Sequence, residues 1–582
     1  MVASMQHESF YDSGVYSVPE MGIYTGWAAH ENSLAAGQPF CNEQGDIALL
    51  FSGECFVDRG TRDELRRKGH EVGQTAGSWL VHLYEEKDNR FFEKLNGLFS
   101  GLLIDKRRKQ AFLFNDRYGV ERIYFCETKD ATYFASEAKA LLRILPELRA
   151  FDEEGVTQFL TFGCTLKWQT LFRGVQLLPG GSLWSFENGK CHKQKYFFPE
   201  TWELQPALTA EAFEAQFQET FKRVLPRYFK AESKIGISLT GGLDTRMIMA
   251  CRPPNEKLIC YTFAGKEGET LDARLAERVA KASGLDHRTL RIGEEFFSNF
   301  ESLADRTVYA TDGCFGILGA HEIYLNAQAR RLAPVRLTGV FGGEILRGVS
   351  TFKSLGLSPQ LINPEFCRDV SPLGAQLANG AVHPVSFAAF REIPWNIFGN
   401  LAACRTQVTF RTPYLDNEIV ALAFRVPESL RRSPLIASRF VKDNDSVLGN
   451  IPTDLGHLRE SKGLSNTLGR VFCETTFKFD YLYSEGLPHW LSPLDPLLDR
   501  LHSKVGLLGL HKYLAYRRWF RRELAGYLND VLEDVRARQS PFWNSDFVNH
   551  MAREHIAGRK NHVREINAVL TLHAVERLLI RN

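Results

Sequence analysis

Apolar residues in the first two hundred positions come in short runs. The runs 47–51, 111–114, 132–134 and 182–186 are bounded by Gly, Asn and Asp. That pattern predicts short strands in a β-rich region. The segment 199–207 carries two prolines and little periodicity, and reads as a linker. A helix is expected to follow, with Thr209 as its N-cap and acid in its first turn. Phe213, Phe217, Phe221 and Val224 then fall on one helical face, which is a core face by default. From Lys234 onward strands and helices alternate: a strand over 234–239, a helix, a strand over 258–263, a helix over 271–283 stopped by Gly284, and a strand over 335–338. Apolar strands alternating with helices predict a parallel, doubly wound sheet. Ligands of such sheets sit at the carboxyl ends of the strands, which brings 240–245, 262–264 and 338–339 to one crevice. The tail from Leu497 reads as helical.

Composition adds bounds. A chain of 582 residues suggests two or three domains with ample core. Hydrophobic residues at 44% and charged residues at 24% make an ordinary globular balance. A net charge of +2 gives no basis for bulk nucleic-acid binding, and the Arg-rich stretch 517–522 reads as a solvated helix face. Eleven cysteines without a C-x-x-C pair argue against a zinc site and against a disulfide framework, and fit a reducing, cytoplasmic setting. No apolar run reaches ~18 residues, so no membrane span is expected. No signal peptide is expected from the opening residues.

The stretch KIGISLTGGLDTRMIMA, 234–250, concentrates the chemistry. A strand feeding a Gly-Gly turn that opens a helix aims backbone N–H groups and the positive helix end at one spot. Gly241 and Gly242 have no Cβ, so an anion can approach the backbone closely. The hydroxyls of Thr240 and Thr245 can donate to phosphate oxygens, and Asp244 can hold a Mg²⁺ that bridges phosphates. An ordinary strand–turn–helix corner is the plain alternative. No Gly-Lys-Ser/Thr follows, so this is not a Walker loop.

The loop resembles the Ser-Gly-Gly-x-Asp-Ser pyrophosphate loop of enzymes that activate a carboxylate as its adenylate. It is most similar to the Ser-Gly-Gly-Leu-Asp-Ser loop of the asparagine synthetase family, with Thr240 and Thr245 in place of the two serines. Four N-terminal motifs appear in that family's order: Leu95-Asn96-Gly97-Leu98-Phe99, Asn115-Asp116-Arg117-Tyr118-Gly119-Val120, Phe134-Ala135-Ser136-Glu137-Ala138-Lys139-Ala140-Leu141, and Leu171-Phe172-Arg173-Gly174-Val175 with Leu178-Pro179-Gly180-Gly181. Further on, LTGVFGGEILRG at 337–348 resembles the family's LSGEGADELFGG, and TQVTFRTPYLD at 406–416 resembles HSLEVRVPFLD. Lys462 is the counterpart of the lysine in R-P-K-x-G-F. Trp519 to Leu524 and Gly558 to His562 look like parts of the family's last helices.

The resemblance covers nearly the whole chain, least well between 350 and 390. It implies an α/β plus α+β architecture. Residues 1–200 would form a two-sheet Ntn-hydrolase-like, glutaminase-type domain, and residues 208–582 a doubly wound parallel-sheet, adenylate-forming PP-loop synthetase domain with a helical C-terminal part. It implies ATP and Mg²⁺. Ser238, Thr240, Gly241, Gly242, Asp244, Thr245, Phe263, Thr338 and Gly339 would bind ATP and pyrophosphate. Asp244 and Glu344 would hold the metal, and Lys462, Asp244 and Glu344 would serve catalysis. Glu344 as a plain helix-start acid is the equal alternative.

The departures are specific. The family's N-terminal Cys nucleophile has no counterpart, since Val2 follows Met1. Its glutamine-binding Asn, Asp and Arg fall at Ser52, Ala76 and Asn32. Residues 5–16 resemble a segment that lies further into the family's domain, so the first strand is expected to be absent, or the start to lie upstream. In the synthetase half the family's Glu is Val340 and its Asp is Gly343. The expected function is AMP-forming amide synthesis from a small-molecule, glycan or peptide carboxylate and an amine not made by its own glutaminase. The alternatives are a nucleotide-binding pseudoenzyme or scaffold, and a glutamine-dependent amidotransferase with a misassigned start. A homodimer stays open.

Overall fold

The computed structural model describes residues 1–582 apart from 58, 73–76, 255, 267–268, 364–365, 367–381, 454–474, 477–512, 539 and 582. The N-terminal strands are β1 (Tyr11–Val18), β2 (Ile23–His30), β3 (Phe40–Cys41), β4 (Ile47–Cys55), β5 (Gly97–Asp105), β6 (Gln110–Asn115), β7 (Tyr124–Glu127), β8 (Thr132–Ala135), β9 (Gln176–Leu177), β10 (Ser182–Glu187) and β11 (Lys190–Lys195). Six of them form an antiparallel sheet in the order β11-β10-β6-β5-β4-β3. Strand alternation buries both of its faces. Leu49, Phe51, Leu103 and Phe112 enter one core with Trp79, Leu80 and Leu83 of the helix Trp79–Lys87. Leu50, Leu102, Ile104 and Leu113 enter a second core. The second core is closed by the β1–β2 ribbon and the sheet β8-β7-β9, which make the other layer. A cavity of about 670 Å³ lies between these two pieces, lined by Tyr16, Trp27, Leu50, Phe51, Tyr133 and Phe134 among others. The chain begins with a short helix, Val2–Met5.

The segment read as a linker contains a helical turn, Glu200–Glu203. Trp202 orders it by packing on Phe197 and Phe390 under the guanidinium of Arg117. Aromatic contacts from outside the segment do this, so local periodicity gives no sign of it. The helix Ala210–Val224 begins as expected: Thr209 Oγ1 accepts from the Ala212 N–H at 3.2 Å, and Phe213, Phe217, Phe221 and Val224 are buried.

The second half carries β12 (Ile235–Ser238), β13 (Ile259–Ala264), β14 (His287–Arg291), β15 (Val335–Thr338) and β16 (Thr409–Arg411). They form one sheet in the order β14-β13-β12-β15-β16, and every pair is parallel. The chain builds outward from β12 through β13 to β14, then returns to the other side of β12 with β15. The switch point therefore lies between β12 and β15, where such sheets bind ligands. Among the described residues, helices Ala525–Arg538, Ser545–Ile556 and Val563–Val575 make up the helical end. Gly558, at φ +72°, starts the turn between the last two of them. The arginine stretch is not a solvated face throughout. Arg517 is buried, and Arg521 Nε donates to the His555 carbonyl at 3.0 Å. Among the described residues no helix is long and apolar enough to cross a membrane.

The two halves are joined by buried polar contacts. Asn96 Nδ2 donates to the fully buried Asp416 at 2.8 Å, and Asn96 Oδ1 accepts from the Asn417 N–H at 2.8 Å. Tyr228 Oη and Arg227 also donate to Asp416, at 3.1 and 3.4 Å. Burial nevertheless pushes the Asp416 carboxyl above the usual carboxylate range. Arg411 Nε donates to Glu54 at 2.7 Å. Asp312 accepts from the Ala138 and Lys139 N–H groups at 2.6 and 3.1 Å, so it caps the helix Ala138–Ile144 from the other half.

Candidate active site

Strand β12 ends in Ser238, the chain turns through Thr240, Gly241 and Gly242, and the helix Leu243–Ala250 begins. The turn faces the segment after β15. Two glycines allow that contact. A Cβ on Gly339 would lie 2.5 Å from the Thr245 nitrogen, and one on Gly342 would lie 2.5 Å from Asp244 Cγ. Either would push the two loops apart. Phe341, where the family motif has Gly, keeps the left-handed conformation at φ +77°. Its ring is buried against Phe410, which offsets a backbone strain of ~1–2 kcal/mol.

The Thr240–Thr245 turn has its donors occupied internally. The Gly241 N–H donates to Asp272 Oδ1 at 2.9 Å, so a carboxylate oxygen stands where an anion would. The Gly242 N–H donates to Thr240 Oγ1 at 3.3 Å, and the Thr240 and Thr245 hydroxyls are 3.5 Å apart. Thr240 is exposed and Thr245 is buried. Ser238 sits inside the sheet, where its hydroxyl accepts from Arg336 Nη2 at 3.2 Å. Phe263 is buried, with the Arg336 guanidinium 4.9 Å from its ring centre. Thr338 Oγ1 accepts from the Val340 N–H at 3.4 Å, so it shapes its own turn. The structure thus gathers Thr240 to Thr245, Thr338 and Gly339 at the switch point, and uses Ser238 and Phe263 beneath it. Lys462 lies outside the described residues, as does Ala76.

Both oxygens of Asp244 are taken. Arg347 Nη1 donates to Oδ1 at 2.7 Å and Nη2 to Oδ2 at 2.8 Å, a bidentate pair. In the motif comparison Arg347 stands at a family Gly and Gly343 at the family Asp, so a cation has been gained four residues after an anion was lost. Glu344 is half-buried, and burial pushes its carboxyl up to about 7, with Glu392 and Asp244 adding to the rise. This donor set does not fit a Mg²⁺ site: Asp244 is neutralised by a guanidinium, Gly343 offers no carboxylate, and Glu344 resists ionisation.

Three further residues shape the site without announcing themselves in the sequence. Arg246 is buried and donates to the carbonyls of Gly241 at 3.0 Å, Ile451 at 2.5 Å and Pro452 at 3.0 Å. It ties the loop to the chain that leads toward Lys462. The buried Tyr414 hydroxyl donates to the Asp244 carbonyl at 2.7 Å. Arg336 spans from Ser238 to Asn326, where Nη1 donates to Oδ1 at 2.9 Å. The one available signal was the Gly-to-Arg departure at 347.

In the N-terminal half the departures are built into new contacts. Ser52 Oγ donates to Glu121 Oε1 at 2.8 Å, and Arg405 Nη1 donates to Glu121 Oε2 at 2.7 Å. Asn32 holds a left-handed turn at φ +60°.

A two-layer antiparallel domain followed by a parallel sheet with a Gly-Gly-x-Asp turn at its switch point defines the class, a glutamine amidotransferase fold joined to a synthetase fold. Residues 2–197 match the family described as glutamine amidotransferase domain, and residues 216–385 the family described as asparagine synthase. The chain thus carries matches to these two domain families, one after the other. It is 25% identical over 343 residues to asparagine synthetase [glutamine-hydrolyzing] 2 of Bacillus subtilis, a match covering 55% of this chain and 45% of that protein. It is 23% identical over 331 residues to asparagine synthetase [glutamine-hydrolyzing] 1 of the same organism, covering 56% and 51%. An amidase of Gibberella zeae is 24% identical over 418 residues, covering 68% and 59%. The matches thus span about half the length of these curated relatives.

Proposed function

We propose that the protein makes an amide or peptide-like C–N bond at the expense of ATP. A substrate carboxylate oxygen attacks the α-phosphorus, the bond to the β-phosphate oxygen breaks, and pyrophosphate leaves. The acyl-adenylate then loses AMP to an amine nitrogen. The observation that carries this reading is the closure of the Thr240–Thr245 turn onto Gly339 and Gly342 at the sheet's switch point. The hydroxyls of Thr240 and Thr245 and the N–H groups at the helix start would hold the pyrophosphate. Lys462 is proposed to offset the charge that grows on the α-phosphate. The Ser52–Glu121–Arg405 contacts fill ground where a glutamine site would need open donors, which favours ammonia or a substrate amine as nitrogen source. Residues 1–200 and 208–582 are proposed as its two units, acting in the cytoplasm.

The Arg347–Asp244 pair favours a second reading, a protein that binds nucleotide and does not turn it over. ATP–pyrophosphate exchange across a panel of amino acids, peptides and sugar acids separates the two. Exchange with one acid, lost in Asp244→Ala, supports the synthetase. Asp244-dependent ATP binding with no exchange across the panel supports the second reading.

A further inference from the structure

A cluster remote from the nucleotide loop carries an inference of its own. Glu43, His70, His82 and Glu85 each bring one ligand atom to within 4.8 Å of the others. They come from separate places: the turn between β3 and β4, the chain after the helix Arg59–Arg67, and one face of the helix Trp79–Lys87. His82 and Glu85 are three residues apart on that face, the spacing that brings two side chains together. The His82 side chain is 3% exposed, Glu85 14% and His70 16%.

The hydrogen bonds around the cluster orient its rings and carboxylates. His70 Nε2 is 2.9 Å from Glu86 Oε1, and His82 Nε2 is 3.1 Å from the Glu71 carbonyl oxygen. A carboxylate and a carbonyl only accept, so both Nε2 atoms carry hydrogen. With Nε2 so engaged, Nδ1 is the ring nitrogen each histidine leaves to ligate. Both Nδ1 atoms face one oxygen, Glu85 Oε2, at 3.6 Å from His70 and 2.9 Å from His82. Glu85 Oε1 is held by Asn42 Nδ2 at 2.8 Å, which turns Oε2 inward. Two ring nitrogens and a carboxylate oxygen therefore converge on one point, a donor set of the kind that binds a divalent ion. Glu43 stands beside them, held by the Glu71 N–H at 3.0 Å.

We propose that His70 Nδ1, His82 Nδ1 and Glu85 Oε2 bind a zinc-class divalent ion, with Glu43 or water as fourth ligand. Tetrahedral zinc with bonds of ~2.0–2.1 Å sets its ligand atoms ~3.3 Å apart, and the two Nδ1–Oε2 separations bracket that distance. Glu86, the Glu71 carbonyl and Asn42 already supply the outer hydrogen bonds that orient imidazole and carboxylate ligands. The ligands include no cysteine, so cysteine spacing could not reveal them. The ion would pin the segment after residue 67 and the β3–β4 turn to the helix.

The test is metal analysis of the full chain as purified, after chelator dialysis, and after Zn²⁺ or Co²⁺ is returned. The expected result is one equivalent per chain, four-coordinate Co²⁺ absorption bands, and a fall of at least ~2 °C in the melting temperature on stripping. Loss of the Co²⁺ bands in His82→Ala with unchanged circular dichroism completes the case. The wild-type readings stand even if that variant does not fold. The proposal is overturned if the stripped chain takes up no stoichiometric metal and its ¹⁵N histidine spectrum has the proton on His82 Nδ1, an imidazolium–Glu85 pair. It is equally overturned if His70→Ala/His82→Ala keeps the metal.

Discussion

Replacing Arg347 by alanine should raise the affinity of the Thr240–Thr245 loop for a divalent ion. The guanidinium makes two charge-assisted bonds, of 2.7 and 2.8 Å, to the Asp244 carboxylate, with the two side chains 17% and 20% exposed. A hydrogen bond to a charged group contributes ~1.5–3 kcal/mol, and solvent competition at this exposure holds the whole pair to ~2–3 kcal/mol. A divalent ion that uses Asp244 must first displace the guanidinium. Its affinity is therefore lowered by ~30–150-fold. The assay is a Mn²⁺ titration followed by electron paramagnetic resonance, with a non-hydrolysable ATP analogue present. Arg347→Ala should bind an additional Mn²⁺ tighter than wild type by that factor, and Asp244→Asn/Arg347→Ala should lose it. Equal Mn²⁺ affinity in wild type and Arg347→Ala would refute the reasoning, because Arg347 would then not be competing for the carboxylate.

Nucleotide binding should weaken as pH rises through about 7, where Glu344 ionises beside the loop, and Glu344→Gln should flatten that profile in a binding titration. The same group affects stability. Its folded pKa is raised above the ordinary 4.5, so its contribution is full below about 4.5 and is lost as pH rises through about 7, which a denaturant midpoint series checks. Tyr414→Phe removes the donor to the Asp244 carbonyl and should cost ~1–2 kcal/mol of unfolding free energy by urea titration. Arg246→Lys keeps the charge but cannot reach the three carbonyls with one planar fork. It should slow any ATP–pyrophosphate exchange more than tenfold, with far-ultraviolet circular dichroism unchanged.

The apolar run at 47–51 and the Phe213, Phe217, Phe221 face were legible because both report burial locally, one by a short apolar run and the other by helical spacing. Strands at 259–264 and 335–338 were legible for the same reason, as apolar runs beside glycine. Strand β14, His287-Arg288-Thr289-Leu290-Arg291, was not. It lies at the sheet edge, is half-exposed, and has no apolar run. The Gly-Gly turn and its place at the switch point could be read from the order of elements. The Arg347–Asp244 pair could not, since its partners are 103 positions apart and only folding brings them together. Arg521 read as a surface charge because sequence spacing does not reveal its partner, the His555 carbonyl of a later helix.

Asn96 determines how the molecule comes apart. It satisfies Asp416 and the start of the helix Asn417–Ala423 in one half, from a turn that belongs to the other. Separating the halves would take one of its donors from Asp416 and the acceptor from the Asn417 N–H, and would also strip Glu54 from Arg411 and Asp312 from the helix Ala138–Ile144. Neither half then has a low-energy state of its own. Calorimetry should record one heat-absorption peak for these two units, with a van't Hoff enthalpy near the calorimetric one. A cut in the chain near residue 204 should leave two fragments that elute together.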